Sequence, residues 1–513
     1  MRLRNSFVFA CVVVGLVVSG CVAFAQADRT LVVGLERGIG NTDPMGNAVI
    51  TSIGTLRNIY DGFFERMPDG ELIPGLVESW ERLDQLTWRF HVRQGVVYHN
   101  GNALTADDLK FTLERTYAYE RSQYVEVGAG IESITILDAY TLDIRTKEPN
   151  PIFPSSIYSL GVMDKEWTES HDPNYVSTHA MGTGPYKFVE WVAEDHLTLV
   201  ANEKYWGGAP SINNVVFRPI SDETTRVAAL ESGELDLITN LPVEAMERIE
   251  ESPDFELIAV AGHRFYMLGL KHTEPFPTAD YNVRKAMYMA IDIDEIIEEI
   301  WDGYAKPCTQ LVAGPIEAYP GFDPELGRVF PYDPEESKRL LAEAGYPNGF
   351  DITLDGLFDS YPKDEQVCLA VTTYLQKVGI NCQLNIRSRS IHFGEVQNAE
   401  TDFWFGSWRE QAFDLAEAFL AHIMCREEGR AQGGWNSGLY CNPEVDRLIT
   451  EANASLTTEE RAALLRQANR IAMEEIAVIP LYVQYDIWGM KAGLLNYTPR
   501  ADMFMLADEM SYK

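Results

Sequence analysis

The sequence predicts a mixed α/β chain folded into two lobes, on three observations. Helix-like and strand-like segments alternate through both halves of the chain. Its 513 residues exceed one small domain, and 46% hydrophobic with 23% charged residues is the balance of a folded globular protein. No internal repeat, low-complexity stretch or charge block separates the halves, which suits a hinged pair rather than domains on a flexible tether.

The chain opens with Arg2 and Arg4 ahead of the apolar run Phe7 to Val18, which is short for a membrane span, and small residues follow in SGCVAFAQA. This is the layout of a secretory signal peptide over residues 1–25. Ala23-Phe24-Ala25 offers a cleavage site and is the preferred route, leaving a mature chain from Gln26. Val18-Ser19-Gly20-Cys21 offers the alternative, a lipid anchor on Cys21. TLVVGLERG then reads as a buried strand, and RFHVRQGVVYHNG alternates up to a turn at Asn100-Gly101. In LTADDLKFTLERTYAY, Thr105 and Asp108 form a capping box before the apolar face Leu109, Leu113 and Tyr117. GTGPYK lacks the Lys-Ser/Thr of a phosphate loop and reads as a tight turn into a strand from Tyr186 to Trp191. Asp222 and Glu223 open a helix that Gly233 closes, and a strand is expected at Leu235 to Ile238.

The second half begins with NVRKAMYMAIDIDEIIEEIW, read as one amphipathic helical stretch. Asp333 caps the next helix, Pro334 takes its first position, and Gly345 stops it. A strand from Phe350 to Leu357 follows. DEQVCLAVTTYLQKVGINCQLNI then gives helix, Gly379 and strand. Thr457 with Glu460 starts a last long helix, with Pro480 expected to end it.

Charge narrows the function. Against 42 Lys and Arg stand 77 Asp and Glu, a formal net charge of −35, and such a surface repels phosphate backbones. Nucleic acid is therefore excluded as a partner. Beyond the leader lie Cys308, Cys368, Cys382, Cys425 and Cys441, an odd number in a compartment that permits bridges. No cysteine spacing suits zinc, no HExxH occurs among nine histidines, and no G-x-S-x-G is present. Neither a metal nor a cofactor is expected.

Several stretches together resemble the bacterial extracellular solute-binding proteins of family 5, the peptide/nickel/opine type serving ABC importers. They are residues 59–115, GTGPYKFVEW, ANEKYWGGAP, NVRKAMYMAID, DPEESKRLLAEAGYP and NPEVDRLITEA, in family order over nearly the whole mature chain. The resemblance implies a two-lobe periplasmic-binding-protein clamshell with an extra inserted subdomain (type II, cluster C-like). Lobe I would hold residues 26–270 and 484–513, with the insertion at about 60–180, and lobe II residues 271–483. It also implies a monomer that presents its closed form to inner-membrane permease subunits, and a Cys425–Cys441 disulfide, because dipeptide-binding members carry a matching pair.

The same resemblance focuses on WREQAFD, residues 408–414. Dipeptide-binding members read Trp-Thr-Gly-Asp-Asn-Gly-Asp-Pro-Asp there, and the first Asp holds the peptide ammonium. Here Trp408 and Asp414 keep their places, Gln411 replaces that Asp, and Arg409 and Glu410 are new. An amide cannot neutralise a buried ammonium. The Arg those members use for the peptide carboxylate has no counterpart in Phe358-Asp359-Ser360-Tyr361. Ligand-binding residues are thus expected in lobe II at Trp408, Arg409, Gln411 and Asp414, and also at Trp435 and Asn436, which follow two glycines that allow close backbone approach. Gly40, Asn41 and Tyr124 are expected from lobe I, with Trp404 read as core. The expected function is capture of a small solute, nominally an oligopeptide or peptide-like compound, for a periplasmic importer. An oligosaccharide receptor of the same family and an exported hydrolase are the alternatives, although no nucleophile with its base is visible.

Overall fold

The computed structural model describes residues 29–312, 319–358, 360–409, 412–427 and 432–513. Its centre is one sheet of eleven strands. Two long strands, Phe255–Leu270 and Val478–Lys491, lie side by side in the middle and pair antiparallel along their length. Beyond Val478–Lys491 the sheet continues through Leu237–Thr239, Thr30–Leu35, Asn214–Pro219, His196–Ala201 and Tyr186–Val192. Beyond Phe255–Leu270 it continues through Phe403–Arg409, Asp351–Leu357 and Asn381–Arg387. The short strand Ala305–Pro307 also pairs with Val478–Lys491, from Gln484 to Tyr482. The ladder between the long strands breaks step between Ala261 and Phe265. A shift of that kind bends and twists a strand locally, and here it marks the passage between the two halves of the sheet.

Strand Phe403–Arg409 lies between two helical layers because its side chains alternate. Phe403 and Phe405 join the core with Tyr266 under helices Tyr281–Ala290, Ile293–Trp301 and Asp364–Lys377. Trp404 enters the opposite core with Phe265 and Met267, under helices Leu415–His422, Pro443–Ala454 and Thr458–Glu474. Each fully buried ring of this kind stabilises the fold by about 1.5–3 kcal/mol. A separate four-stranded antiparallel sheet, in the order Val77–Arg82, Thr87–Val92, Thr141–Thr146, Ile131–Asp138, packs against helix Ala106–Ala118. It has its own core of Trp88, Phe90, Leu109, Leu113, Leu142 and Ile144, which is the extra subdomain of the expected fold class.

Local signals account for most boundaries. The Thr105–Asp108 capping box is present, Gly233 adopts the left-handed conformation after helix Glu223–Ser232, and Asp333 caps Pro334–Glu343. The glycines of GTGPYK permit a close approach: a Cβ on Gly182 would fall 2.0 Å from the Ile59 carbonyl oxygen. Four expectations need correction, the first being that Tyr117 shares the buried face of Leu109 and Leu113, since it is 66% exposed. The stretch from Asn282 to Trp301 is two helices, because the Asp292 carboxylate accepts from Glu295 N and starts a second one. The last long helix ends at Glu474, with Ile476 left-handed at φ 55°, and Pro480 lies inside the following strand opposite Met267. The strand expected at Leu235 to Ile238 is shorter and later, Leu237–Thr239.

Candidate ligand-binding site

The stretch singled out in the sequence sits at the end of strand Phe403–Arg409 and in the turn into helix Leu415–His422. Its register with Phe255–Leu270 places Trp408 opposite Phe265 and Arg409 opposite Arg264. Successive residues therefore serve opposite faces. On one face, Trp404 is 4% exposed and lies flat on Gly269, where a Cβ would come within 2.1 Å of the indole. It is a core residue. Trp408 is half-buried and meets His422 edge-on at 4.8 Å and Trp435 at 6.2 Å. Trp435 in turn meets Phe393 at 5.5 Å. Trp408 Nε1 and both ring nitrogens of His422 are buried without a hydrogen-bond partner. Burial holds the His422 ring neutral, with its pKa lowered to about 3.

The Cys425–Cys441 disulfide is formed and closes the loop that carries Trp435 and Asn436. Asn436 has a structural occupation. Its Nδ2 donates to Met424 O (3.0 Å) and Tyr440 O (2.7 Å), and its Oδ1 accepts from Tyr440 N. Asp414 is equally committed: it caps helix Leu415–His422 through Ala416 N and forms a buried two-contact ion pair with Arg461. Gln411 and Glu410 lie outside the described residues.

Among the described residues of this stretch, Arg409 is the charged residue that approaches the long strand Val478–Lys491. Its Nη2 stands 3.9 Å from Asp486, on the long strand Val478–Lys491, and its Nη1 reaches the Met503 sulfur at 2.9 Å. Asp486 fits there because its neighbour in space is Gly262, where a Cβ would collide with the carboxylate at 2.6 Å. Burial lowers the Arg409 pKa and raises that of Asp486, and in each case it outweighs the attraction of the partner. Beside them, Arg66 crosses to the same region. Its guanidinium lies over Phe413 (4.1 Å) and Tyr158 (4.4 Å) and donates to Ala412 O at 3.1 Å. Phe413, at φ 59°, packs its ring on His263 at 4.0 Å. Sequence reasoning missed Arg66, Arg264, His263, Phe413 and Asp486. Phe413 lay inside WREQAFD and Arg66 inside the family-like stretch 59–115; Arg264, His263 and Asp486 arrive by long-range pairing and carry no motif.

Gly40, Asn41 and Tyr124 do come together, around Asn47. Gly40 N donates to Asn47 Oδ1 (3.2 Å), Asn47 Nδ2 donates to Asn41 O (3.1 Å), and the Tyr124 hydroxyl donates to Asn47 O (2.7 Å). Asp43 anchors this loop through two contacts from Arg115, 2.9 and 2.6 Å. Among the described residues no hydrogen bond or ring contact joins this group to the Trp408–Asn436 group. The described residues also contain no cluster of three His, Cys, Asp or Glu side chains able to hold a metal, and no helix long and apolar enough to cross a membrane.

Two lobes that share a single sheet through a pair of crossing strands, with charged and aromatic side chains gathered where they meet, define a binding protein of the clamshell class. The chain belongs to the bacterial extracellular solute-binding proteins, family 5, whose model (family 5 Middle) matches residues 71–425. Members of this family bind small solutes and work with ABC transporter permeases. The heme-binding protein A of Haemophilus influenzae is 27% identical over 443 residues, covering 80% of this chain and 79% of that protein. The glutathione-binding protein GsiB of Pectobacterium atrosepticum is 26% identical over 423 residues, covering 80% of each. In fold, the structure of HbpA2 from Haemophilus parasuis superposes with a TM-score of 0.85 at 22% identity, over 94% of this chain and 100% of that one.

Proposed function

We propose that this chain is the periplasmic receptor of an ABC importer for a peptide-like solute, exported by its N-terminal signal and active as a monomer without enzymatic activity. The solute is held between lobe I (residues 26–270 and 484–513) and lobe II (271–483). Binding energy then favours the closed arrangement that a permease reads. The observation that carries this reading is the meeting of Arg409, Arg264 and Arg66 with Asp486 and Phe413 at the junction of the long strands. Such a junction offers directional charge for a ligand with polar ends, and the similarity to a glutathione-binding protein supports a peptide of unusual linkage. Trp408 and Trp435 supply an apolar wall, whereas Asp414 and Asn436 act by holding that wall in place.

The test is a thermal-shift screen of glutathione, free and N-acetylated peptides, and neutral oligosaccharides, with turnover of ester and peptide substrates assayed alongside. Stabilisation by peptides without turnover is the expected outcome. Stabilisation by oligosaccharides alone replaces the solute class, and turnover replaces the receptor by a hydrolase. Within the peptide outcome, Trp408→Ala weakens binding measured by calorimetry more than Trp404→Ala does at matched folded fraction.

A further inference from the structure

Arg264 and Arg409 are register partners on adjacent antiparallel strands, so their side chains leave the sheet on the same face. Directly opposed like charges are unfavourable in a sheet, and this pair is only partly compensated. Arg264 Nη1 donates to Ser407 Oγ at 2.7 Å, and its guanidinium lies 5.1 Å from the Tyr361 ring centroid. Arg409 has Asp486 at 3.9 Å and the Met503 sulfur at 2.9 Å. Among the described residues, neither guanidinium has a carboxylate within hydrogen-bond distance. Lys306 and Arg66 add positive charge nearby, since both act with Arg409 on buried His263. The carboxylates acting on Arg409 are Asp486 and Glu36, those acting on Arg66 are Asp502 and Glu417, and Glu36 already accepts from Thr51 (2.5 Å) and Thr239 (2.9 Å). In a chain of net charge −35, Arg264 and Arg409 thus stand side by side in a group that also includes Arg66 and Lys306.

We infer that Arg264 and Arg409 form an anion subsite that takes a carboxylate group of the ligand. A planar guanidinium pairs with a carboxylate through two parallel hydrogen bonds, and such charge-assisted bonds are the strong ones. Among the described residues, neither arginine makes that two-bond contact with a carboxylate. The incoming carboxylate relieves the repulsion between the pair and replaces the long Asp486 contact. A ligand whose acid group is masked leaves both cations desolvated and unanswered. This inference rests on the peptide-like reading above, and it makes the acid end the discriminating feature of the solute.

The experiment compares glutathione and trialanine, as free acids, with glutathione diethyl ester and trialanine amide, by calorimetry on the full chain. A masked acid is expected to bind at least roughly tenfold more weakly, the value of one lost charged hydrogen bond. Arg264→Gln is expected to reduce that preference to about threefold or less, while Arg264→Lys keeps part of it. Equal affinity for acid and masked forms in the unmodified protein overturns the subsite and leaves the peptide reading intact. Should no form bind, the peptide reading falls. The subsite is then decided by native mass spectrometry after exposure to a cell extract. A retained non-peptide acid upholds it; a retained ligand without an acid group, or no retained ligand, overturns it.

Discussion

Two arginine–aspartate pairs lie close together in the sequence of this chain and behave in opposite ways. Asp414 and Arg461 meet in the interior, with side chains 4% and 7% exposed, through two contacts, and Asp414 also caps a helix. Asp486 and Arg409 approach only to 3.9 Å, at the junction of the two halves of the sheet, and burial pushes both towards neutrality. In the first pair both carboxylate oxygens and both terminal guanidinium nitrogens are bonded, so the charges serve the fold. In the second the guanidinium keeps unspent directional capacity, which is what a ligand group can use. Residue type does not separate these roles; the completeness of the hydrogen bonding does.

The contrast can be broken by substitution. Asp414→Ala strands Arg461 in the interior and removes the cap, so a loss of about 3–5 kcal/mol in urea unfolding is expected. A loss below about 1 kcal/mol would erase the distinction between the pairs. Replacing Cys425 and Cys441 together by Ser reopens the loop bearing Trp435 and is expected to cost about 3 kcal/mol in the same assay. Arg409→Gln is expected to cost less stability than Asp414→Ala, because Arg409 stands 3.9 Å from its partner and makes no two-contact pair, while its effect on ligand affinity is larger. A destabilisation equal to that of Asp414→Ala would assign Arg409 to the fold.

The smallest effect sharpens the comparison through pH. The Asp486 carboxyl titrates above its ordinary value in the folded state because burial disfavours its charge. From about pH 4 upward the unfolded chain loses this proton first. Stability contributed at Asp486 is therefore present at low pH and declines as pH rises towards the folded value. Asp486→Asn should thus gain on the unmodified protein in melting temperature between pH 4 and pH 7. An unchanged difference across that range would mean that Arg409 compensates its partner fully.

What was legible in the sequence was local. Capping residues and stop glycines set the ends of helices Ala106–Ala118, Glu223–Ser232 and Pro334–Glu343, because each acts within one turn of itself. The same local view joined two helices across Asp292, since an aspartate inside an apolar period looks like a surface residue until its carboxylate is seen capping. It also stopped a helix at Pro480, which instead occupies a strand position that the helix never reaches. Trp408 was legible from its place in a family motif and Trp435 from the glycine pair before it, and the two rings do share one aromatic group. Arg264 and Asp486 could not be found so. Their proximity to Arg409 comes from strand register between segments far apart in the chain, and no spacing encodes that.

The strand that leads into the second half of the molecule and the strand that leads out of it are hydrogen-bonded neighbours, with Gly269 in register with Val478. The intervening polypeptide therefore begins and ends at one place on the sheet. It is a cassette: exchanging Lys271–Ala477 for the same segment of a relative means rejoining two adjacent junctions and re-forming the pairing of Phe403–Arg409 and Ala305–Pro307 with the retained strands. Recombination at that seam leaves the amino-terminal half and its subdomain unchanged in sequence.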